Sequence, residues 1–125
     1  MTKTAHTFCW TDIPVNNLDR AISFYSDVLN APVEKFSQHG FEFGLLPHPE
    51  DNVSGCLTIM PERQPSQNGP LVYLNVEGRL DQAIQIAQEK GGQLLSEKIQ
   101  MGPYGHRAII LDTEGNGIAL YSKEA

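Results

Sequence analysis

An internal repeat constrains this chain more than any other feature. Val15-Asn16-Asn17-Leu18-Asp19-Arg20-Ala21-Ile22 returns half a chain length later as Val76-Glu77-Gly78-Arg79-Leu80-Asp81-Gln82-Ala83-Ile84. Leu18 maps to Leu80, Asp19 to Asp81, Ala21 to Ala83 and Ile22 to Ile84. Each copy follows an apolar, strand-like run and precedes several more. Two copies of one supersecondary unit predict a pseudo-symmetric fold, with a cleft where the copies face each other.

The pattern predicts strand–helix–three strands, twice. His6 to Pro14 reads as a strand. Asn16 or Asn17 can cap a helix whose first turn carries Asp19, favourably placed on the helix dipole. Leu18, Ala21, Ile22, Tyr25 and Leu29 give that helix one apolar face, and Pro32 is expected to stop it. Val33 to Ser37, Phe41 to Leu46 and Cys56 to Met60 follow as strands. Pro61 to Pro70 has little apolar content and reads as a linker. Leu71 to Val76 repeats the first strand, and Leu80, Ala83, Ile84 and Ala87 repeat the helix face. Gly91-Gly92 ends the second helix. Gln93 to Lys98, Gly105 to Leu111 and Gly117 to Ser122 complete the second copy. The expectation is one α+β domain over 1–125, with module one at about 6–60, a linker at about 61–70 and module two at about 71–122.

The 125 residues fit one domain. Hydrophobic residues make up 40%, which is low enough to suggest a small core per module, completed by a partner subunit. The formal charge of −6, without any block of like charges, disfavours nucleic acid as a partner. No apolar run has the ~20 residues that span a bilayer, so no membrane partner is expected. The N-terminal stretch lacks the apolar segment of a signal peptide, and Cys9 and Cys56 do not suggest a disulfide framework. A cytoplasmic protein with reduced thiols is the expectation.

Four stretches then carry a resemblance. They are Trp10-Thr11-Asp12-Ile13-Pro14-Val15, Asn17-Leu18-Asp19-Arg20-Ala21-Ile22-Ser23-Phe24-Tyr25, Val28-Leu29-Asn30-Ala31 and Leu111-Asp112-Thr113-Glu114-Gly115-Asn116-Gly117-Ile118-Ala119-Leu120. In this order, with Gly91-Gly92 between the last two, they resemble the vicinal oxygen chelate superfamily of lactoylglutathione lyase, bleomycin-resistance proteins and extradiol dioxygenases. The Trp-x-Asp opening is most similar to the subgroup described as related to lactoylglutathione lyase. The resemblance implies two βαβββ modules whose curved mixed sheets surround a cleft, and a homodimer. It leaves the reaction open.

Family enzymes hold a divalent metal with His, Gln and Glu side chains from the first and last strands of each module. The resemblance puts those positions on Trp10, Leu71, Ala119 and a site near Leu57 or Thr58. Trp, Leu and Ala offer no side-chain ligand. The expectation is therefore no metal ligand and no cofactor, so that any chemistry is metal-independent.

Strand alternation puts Trp10 and Asp12 on one face and Cys9, Thr11 and Ile13 on the other. If Ile13 faces the helix, Trp10 and Asp12 face the cleft, as a stacking platform and as an acceptor or general base. The competing reading makes Trp10 a core filler and Asp12 a strand-end group bonded to backbone. By the same parity Tyr73 and Asn75 share one face, either for a ligand or for a subunit interface. In Tyr104-Gly105-His106-Arg107, only one of His106 and Arg107 can face the cleft. The adjacent His106 and Arg107 could bind an anionic substrate, or His106 could act as a general acid/base, and Tyr104 is a candidate lining residue. Tyr121 shares the parity of Ala119. His39 with Glu42 is a remote possibility for an improvised metal pair, and His48 is expected in solvent. Gly115-Asn116-Gly117 reads as a turn between antiparallel strands, not a phosphate loop. Cys56 has no basic neighbour in sequence, which argues against a nucleophile.

The expected function is binding of a small organic molecule in the cleft. The catalytic candidates are Asp12 and His106, and the ligand-binding candidates are Trp10, Tyr73, Asn75, Tyr104 and Tyr121. Three alternatives stand beside it: a metal-dependent lyase or isomerase of the lactoylglutathione lyase type, a non-enzymatic sequestering protein of the drug-resistance type, and an interaction subunit without a ligand.

Overall fold

A computed structural model describes residues 7–38, 40–50 and 52–125. The proposed pairing of His39 with Glu42 lies outside the described residues. Asn17 starts helix α1 (Leu18–Leu29): its side-chain oxygen accepts from the Arg20 amide at 3.0 Å. Leu18, Ala21, Phe24, Tyr25 and Val28 recur at helical spacing and are buried, with Ile22 and Leu29 packed at the margin. The helix ends before Pro32, because Asn30 turns into the left-handed region (φ 54°, ψ 40°). Asparagine tolerates that conformation better than most residues.

Four strands surround this helix in sequence: β1 (Trp10–Pro14), β2 (Glu34–Gln38), β3 (Phe41–Leu45) and β4 (Ser54–Thr58). They form one mixed sheet in the order β1-β4-β3-β2, with β1 parallel to β4 and the other pairs antiparallel. The second module repeats the plan with β5 (Val72–Asn75), α2 (Leu80–Glu89), β6 (Gln93–Gln100), β7 (His106–Leu111) and β8 (Gly117–Ser122). Its sheet has the order β5-β8-β7-β6, with β5 parallel to β8. The strand–helix–three-strand repeat is therefore present in both halves. The largest displacement from the sequence expectation is β1, expected from His6 but beginning at Trp10, with Thr7 to Cys9 outside the strand.

Helix α2 buries Leu80, Ala83 and Ala87, and the short alanines let α1 pack against it. One hydrophobic core runs through both modules, from Ile13, Phe24 and Leu57 to Ile110, Ile118 and Leu120. Gly92 sits where this packing leaves no room for a side chain. A Cβ there would stand 2.6 Å from the Leu111 carbonyl oxygen and 3.1 Å from the Phe24 ring. Since each helix covers one face of its own sheet and packs on the other helix, each sheet keeps one helix-free face. Among the described residues no helix is long and apolar enough to cross a membrane.

Candidate ligand-binding site

The turn after β7 does more than reverse the chain. Asp112 is buried and accepts from the Glu114 and Asn116 amides at 2.8 Å each. Its second oxygen accepts from the buried Tyr25 hydroxyl and from the Asn116 side-chain amide. Burial pushes the Tyr25 phenol well above its ordinary range, and the Asp112 charge and hydrogen bond add to that. Asn116 also donates to the Pro14 carbonyl at 2.8 Å and accepts from the Ser66 amide at 3.1 Å. Glu114 reaches the start of α1, accepting from the amides of Asn16 and Asn17 and from the Arg20 guanidinium at 2.7 Å. Burial alone would raise the Glu114 carboxyl, but Arg20, the two amides and the Thr113 hydroxyl together hold it down at about 2. One turn of module two thus fixes the end of β1, the N-terminus of α1 and the linker. Sequence reading found only the turn. The signal that could have found the rest was the second carboxylate, Glu114, which the turn itself does not use.

With β1 fixed, its alternation decides what each side chain meets. Ile13 is buried beside Leu57 on the helix side. Trp10 and Asp12 emerge on the helix-free face, as expected, and Trp10 is 46% exposed. The Trp10 indole N–H donates to Asp12 Oδ1 at 3.0 Å, and the Cys56 thiol donates to the same oxygen at 3.4 Å. Both donors hold the carboxylate in one orientation. Burial first, then the hydrogen bond and charge of Asp12, push the Cys56 thiol up to about 11, so it is protonated at neutral pH. Phe36 and Phe43 stack on the same face with ring centroids 5.5 Å apart.

On the second sheet, Tyr73 pairs with Ala119, and Asn75 with Tyr121. These four share the helix-free face, because Val72 and Leu74 alternate toward the core. The Tyr73 and Tyr121 rings lie 6.4 Å apart. Asn75 is occupied locally: its side-chain oxygen accepts from the Glu77 amide at 2.9 Å. Tyr104 lies in the 3₁₀ turn Gly102–Tyr104 and is 74% exposed. Only its carbonyl meets the sheet, by accepting from the Tyr121 hydroxyl.

The choice between His106 and Arg107 resolves against the sequence expectation. His106 pairs with the buried Ser122, and its neighbours by alternation are Ala108 and Ile110 of the core. It is therefore on the helix side, away from Asp12, Tyr73 and Tyr121. Arg107 pairs with Tyr121 and takes the helix-free face. Its guanidinium lies 5.9 Å from the Tyr73 ring centroid and donates to the Tyr73 hydroxyl at 2.8 Å. Parity alone could not select Arg107, because the bend at Gly105 sets which residue starts β7.

Two cavities lie on the seam between modules. One, about 370 Å³, runs between the end of β1 and the start of β8, with Asp12, Pro14, Arg63 and Ile118 in its walls. The other, about 430 Å³, runs between β5 and the start of β4, with Tyr73, Asn75, His48 and Ser54 in its walls. They occupy corresponding places in the repeat. Trp10, Tyr104, His106 and Tyr121 line neither.

A family model of the Glyoxalase/Bleomycin resistance protein/Dioxygenase superfamily matches residues 5–120. The chain belongs to that superfamily. Solved structures share the fold at low identity. A glyoxalase/bleomycin resistance protein from Albidiferax ferrireducens T118 superposes with a TM-score of 0.73 at 17% identity, over 94% of this chain and 98% of that one. A glyoxalase-related enzyme from Fulvimarina pelagi gives 0.70 at 11% identity, over 94% and 88%. The V278E mutant of Zea mays glyoxalase I gives 0.70 at 19% identity, with 92% of this chain matching 45% of the maize chain. No curated protein matches significantly.

The metal of glyoxalase-superfamily enzymes does not fit the residues present here. Three of the expected ligand positions carry Trp10, Leu71 and Ala119. At the fourth, Leu57 is fully buried on the helix side, and the Thr58 hydroxyl is spent on the Glu42 carbonyl. Among the described residues no three His, Cys, Asp or Glu side chains converge. A hydroxyl and an indole are not a donor set for a divalent cation.

Proposed function

We propose that this glyoxalase-superfamily protein binds a small organic molecule against its helix-free sheet faces, without a metal. The observation that carries this reading is the pairing, on each face, of exposed aromatic surface with an oriented charged group. One face has Trp10 beside Asp12, with Phe36 and Phe43 stacked towards its far edge, and the other has Tyr73 and Tyr121 beside Arg107. Aromatic walls with a few fixed polar groups are the usual make-up of small-molecule sites.

A second copy of the chain is the proposed cover. Asp12 on one face and Arg107 on the other are opposite in sign, so the first face of one copy can lie over the second face of the other around a bound ligand, and a two-fold axis makes both contacts at once. Each cleft then draws on two subunits. Binding is favoured over acid–base or nucleophilic turnover, because His106 lies on the covered side and the Cys56 thiol is held up at about 11. Asp12 is the remaining group that can accept a proton from a ligand.

Trp10 is the only tryptophan, so its emission reports on the first face directly. Small aromatic and aliphatic molecules titrated into the protein should shift that emission saturably, and light scattering should give the mass of two chains. A monomer whose Trp10 emission responds to none of them contradicts the reading.

A further inference from the structure

We propose that the face formed by β5, β7 and β8 recognises an organic anion, a carboxylate on an apolar or aromatic body, and that Arg107 takes the carboxylate. This deepens the small-molecule reading and rests on it. The chain carries fifteen Asp and Glu residues against nine Lys and Arg, so a cationic side chain has many acids to choose from. Four of the other basic residues use them: Arg20 pairs with Glu114, Lys35 with Asp19, Lys90 with Asp27 and Lys98 with Asp81, while Arg79 is spent on the Val28 carbonyl and the Gln82 side chain. Among the described residues Arg107 has no acidic partner within 4.0 Å, and its single side-chain hydrogen bond goes to the neutral Tyr73 hydroxyl.

The manner of that bond matters. It uses Nη1. Nε is shielded from solvent and has no hydrogen-bond partner. Nη2 is the donor left both unpartnered and within reach of a ligand, and its N–H groups can meet a carboxylate oxygen in a charge-assisted hydrogen bond. Tyr73 holds Nη1, so the guanidinium is presented in one orientation instead of being disordered in solvent.

The surroundings suit the rest of such a ligand. Tyr73 is 43% exposed and Ile99, which pairs with Arg107 across the sheet, is 44% exposed. The Tyr121 ring is fixed by its hydroxyl, which donates to the Tyr104 carbonyl. An apolar or aromatic body can lie on these surfaces while its carboxylate meets Arg107. A planar anion larger than a halide, with a hydrophobic tail, fits this description. A bare inorganic anion would leave the apolar surface unused.

The test uses 1-naphthoate and its neutral carboxamide as probes, titrated into 15N-labelled full-length protein. The Arg107 Nε–H cross-peak is identified by its loss in Arg107→Gln. Naphthoate should move that cross-peak and bind roughly ten-fold or more tightly than the carboxamide, as a charge-assisted pair implies. Arg107→Gln should weaken naphthoate roughly ten-fold and the carboxamide by a much smaller factor, with amide dispersion showing that the variant is folded. Tyr73→Phe should weaken naphthoate by several-fold, since it frees the guanidinium without removing it. Equal affinity for the acid and the amide overturns the anion assignment and leaves the small-molecule reading standing. Failure of both probes to perturb any residue of this face overturns both.

Discussion

Glu114→Gln is the perturbation that tests most sharply how the two modules are held together. The substitution keeps the shape of the side chain and removes its charge. The wild-type carboxylate accepts from Asn16 and Asn17 at 2.8 Å each, from Thr113 at 2.8 Å and from Arg20 at 2.7 Å. A glutamine can satisfy one side of this set but must point an amide N–H at a donor on the other. The carboxyl is held at about 2 against an ordinary 4.5. At ~1.4 kcal/mol per tenfold change in proton affinity, that difference is worth about 3.5 kcal/mol before screening. Arg20 is half exposed, so solvent screens its part and about 2 kcal/mol is the expected loss. For a chain of this size that corresponds to roughly 6–10 °C in Tm. The sign with pH is fixed by the direction of the shift. The folded carboxyl is more acidic than the unfolded one, so its stabilisation is complete above the ordinary 4.5 and is lost as pH falls toward 2. Thermal melts of wild type and Glu114→Gln should therefore differ fully at neutral pH and converge on acidification. A difference under about 1 °C at pH 7, or one that stays constant as the pH falls, would refute the reasoning.

Three further outcomes follow from the packing and the thiols. Gly92→Ala should lower the urea midpoint by an amount equivalent to about 2 kcal/mol, because the new methyl would stand 2.6 Å from the Leu111 carbonyl oxygen; an unchanged midpoint would contradict the close packing at this glycine. Tyr25→Phe should cost about 1–2 kcal/mol by the same assay, since Asp112 loses a buried hydrogen-bond donor, and a neutral result would count against the turn as a lock. In the folded protein at neutral pH, a thiol reagent should modify the exposed Cys9 quickly and Cys56 only after unfolding; two equally fast thiols would contradict the burial of Cys56 and the raised thiol.

What the sequence made legible divides by range. Asn17, Leu18, Ala21 and Tyr25 act within one turn of one another, so α1 could be read from its own residues. The parity of β1 and β5 was also legible, because Ile13, Val72 and Leu74 mark their covered faces. Parity failed to choose between His106 and Arg107 because β7 begins at a bend, Gly105, whose position no local pattern sets. The β7–β8 turn was legible as a turn and not as a lock, since Glu114 and Asn116 act on residues about a hundred positions away. Charge gave a hint, in that the Arg20 and Glu114 residues are a long-range opposite pair, but one sequence contains many such pairs. Sequence offered both His106 and Arg107 and could place only one of them on the cleft side. The register across β7 and β8 decides it.

The central claim is that the sheet faces of this superfamily member work without a metal. It is tested most directly by the metal content of untagged protein, purified without chelator from cells grown with added zinc, nickel, manganese and iron. The account predicts far less than one metal ion per chain. Near-stoichiometric metal would contradict it and would mean that ligands come from residues other than Trp10, Thr58, Leu71 and Ala119.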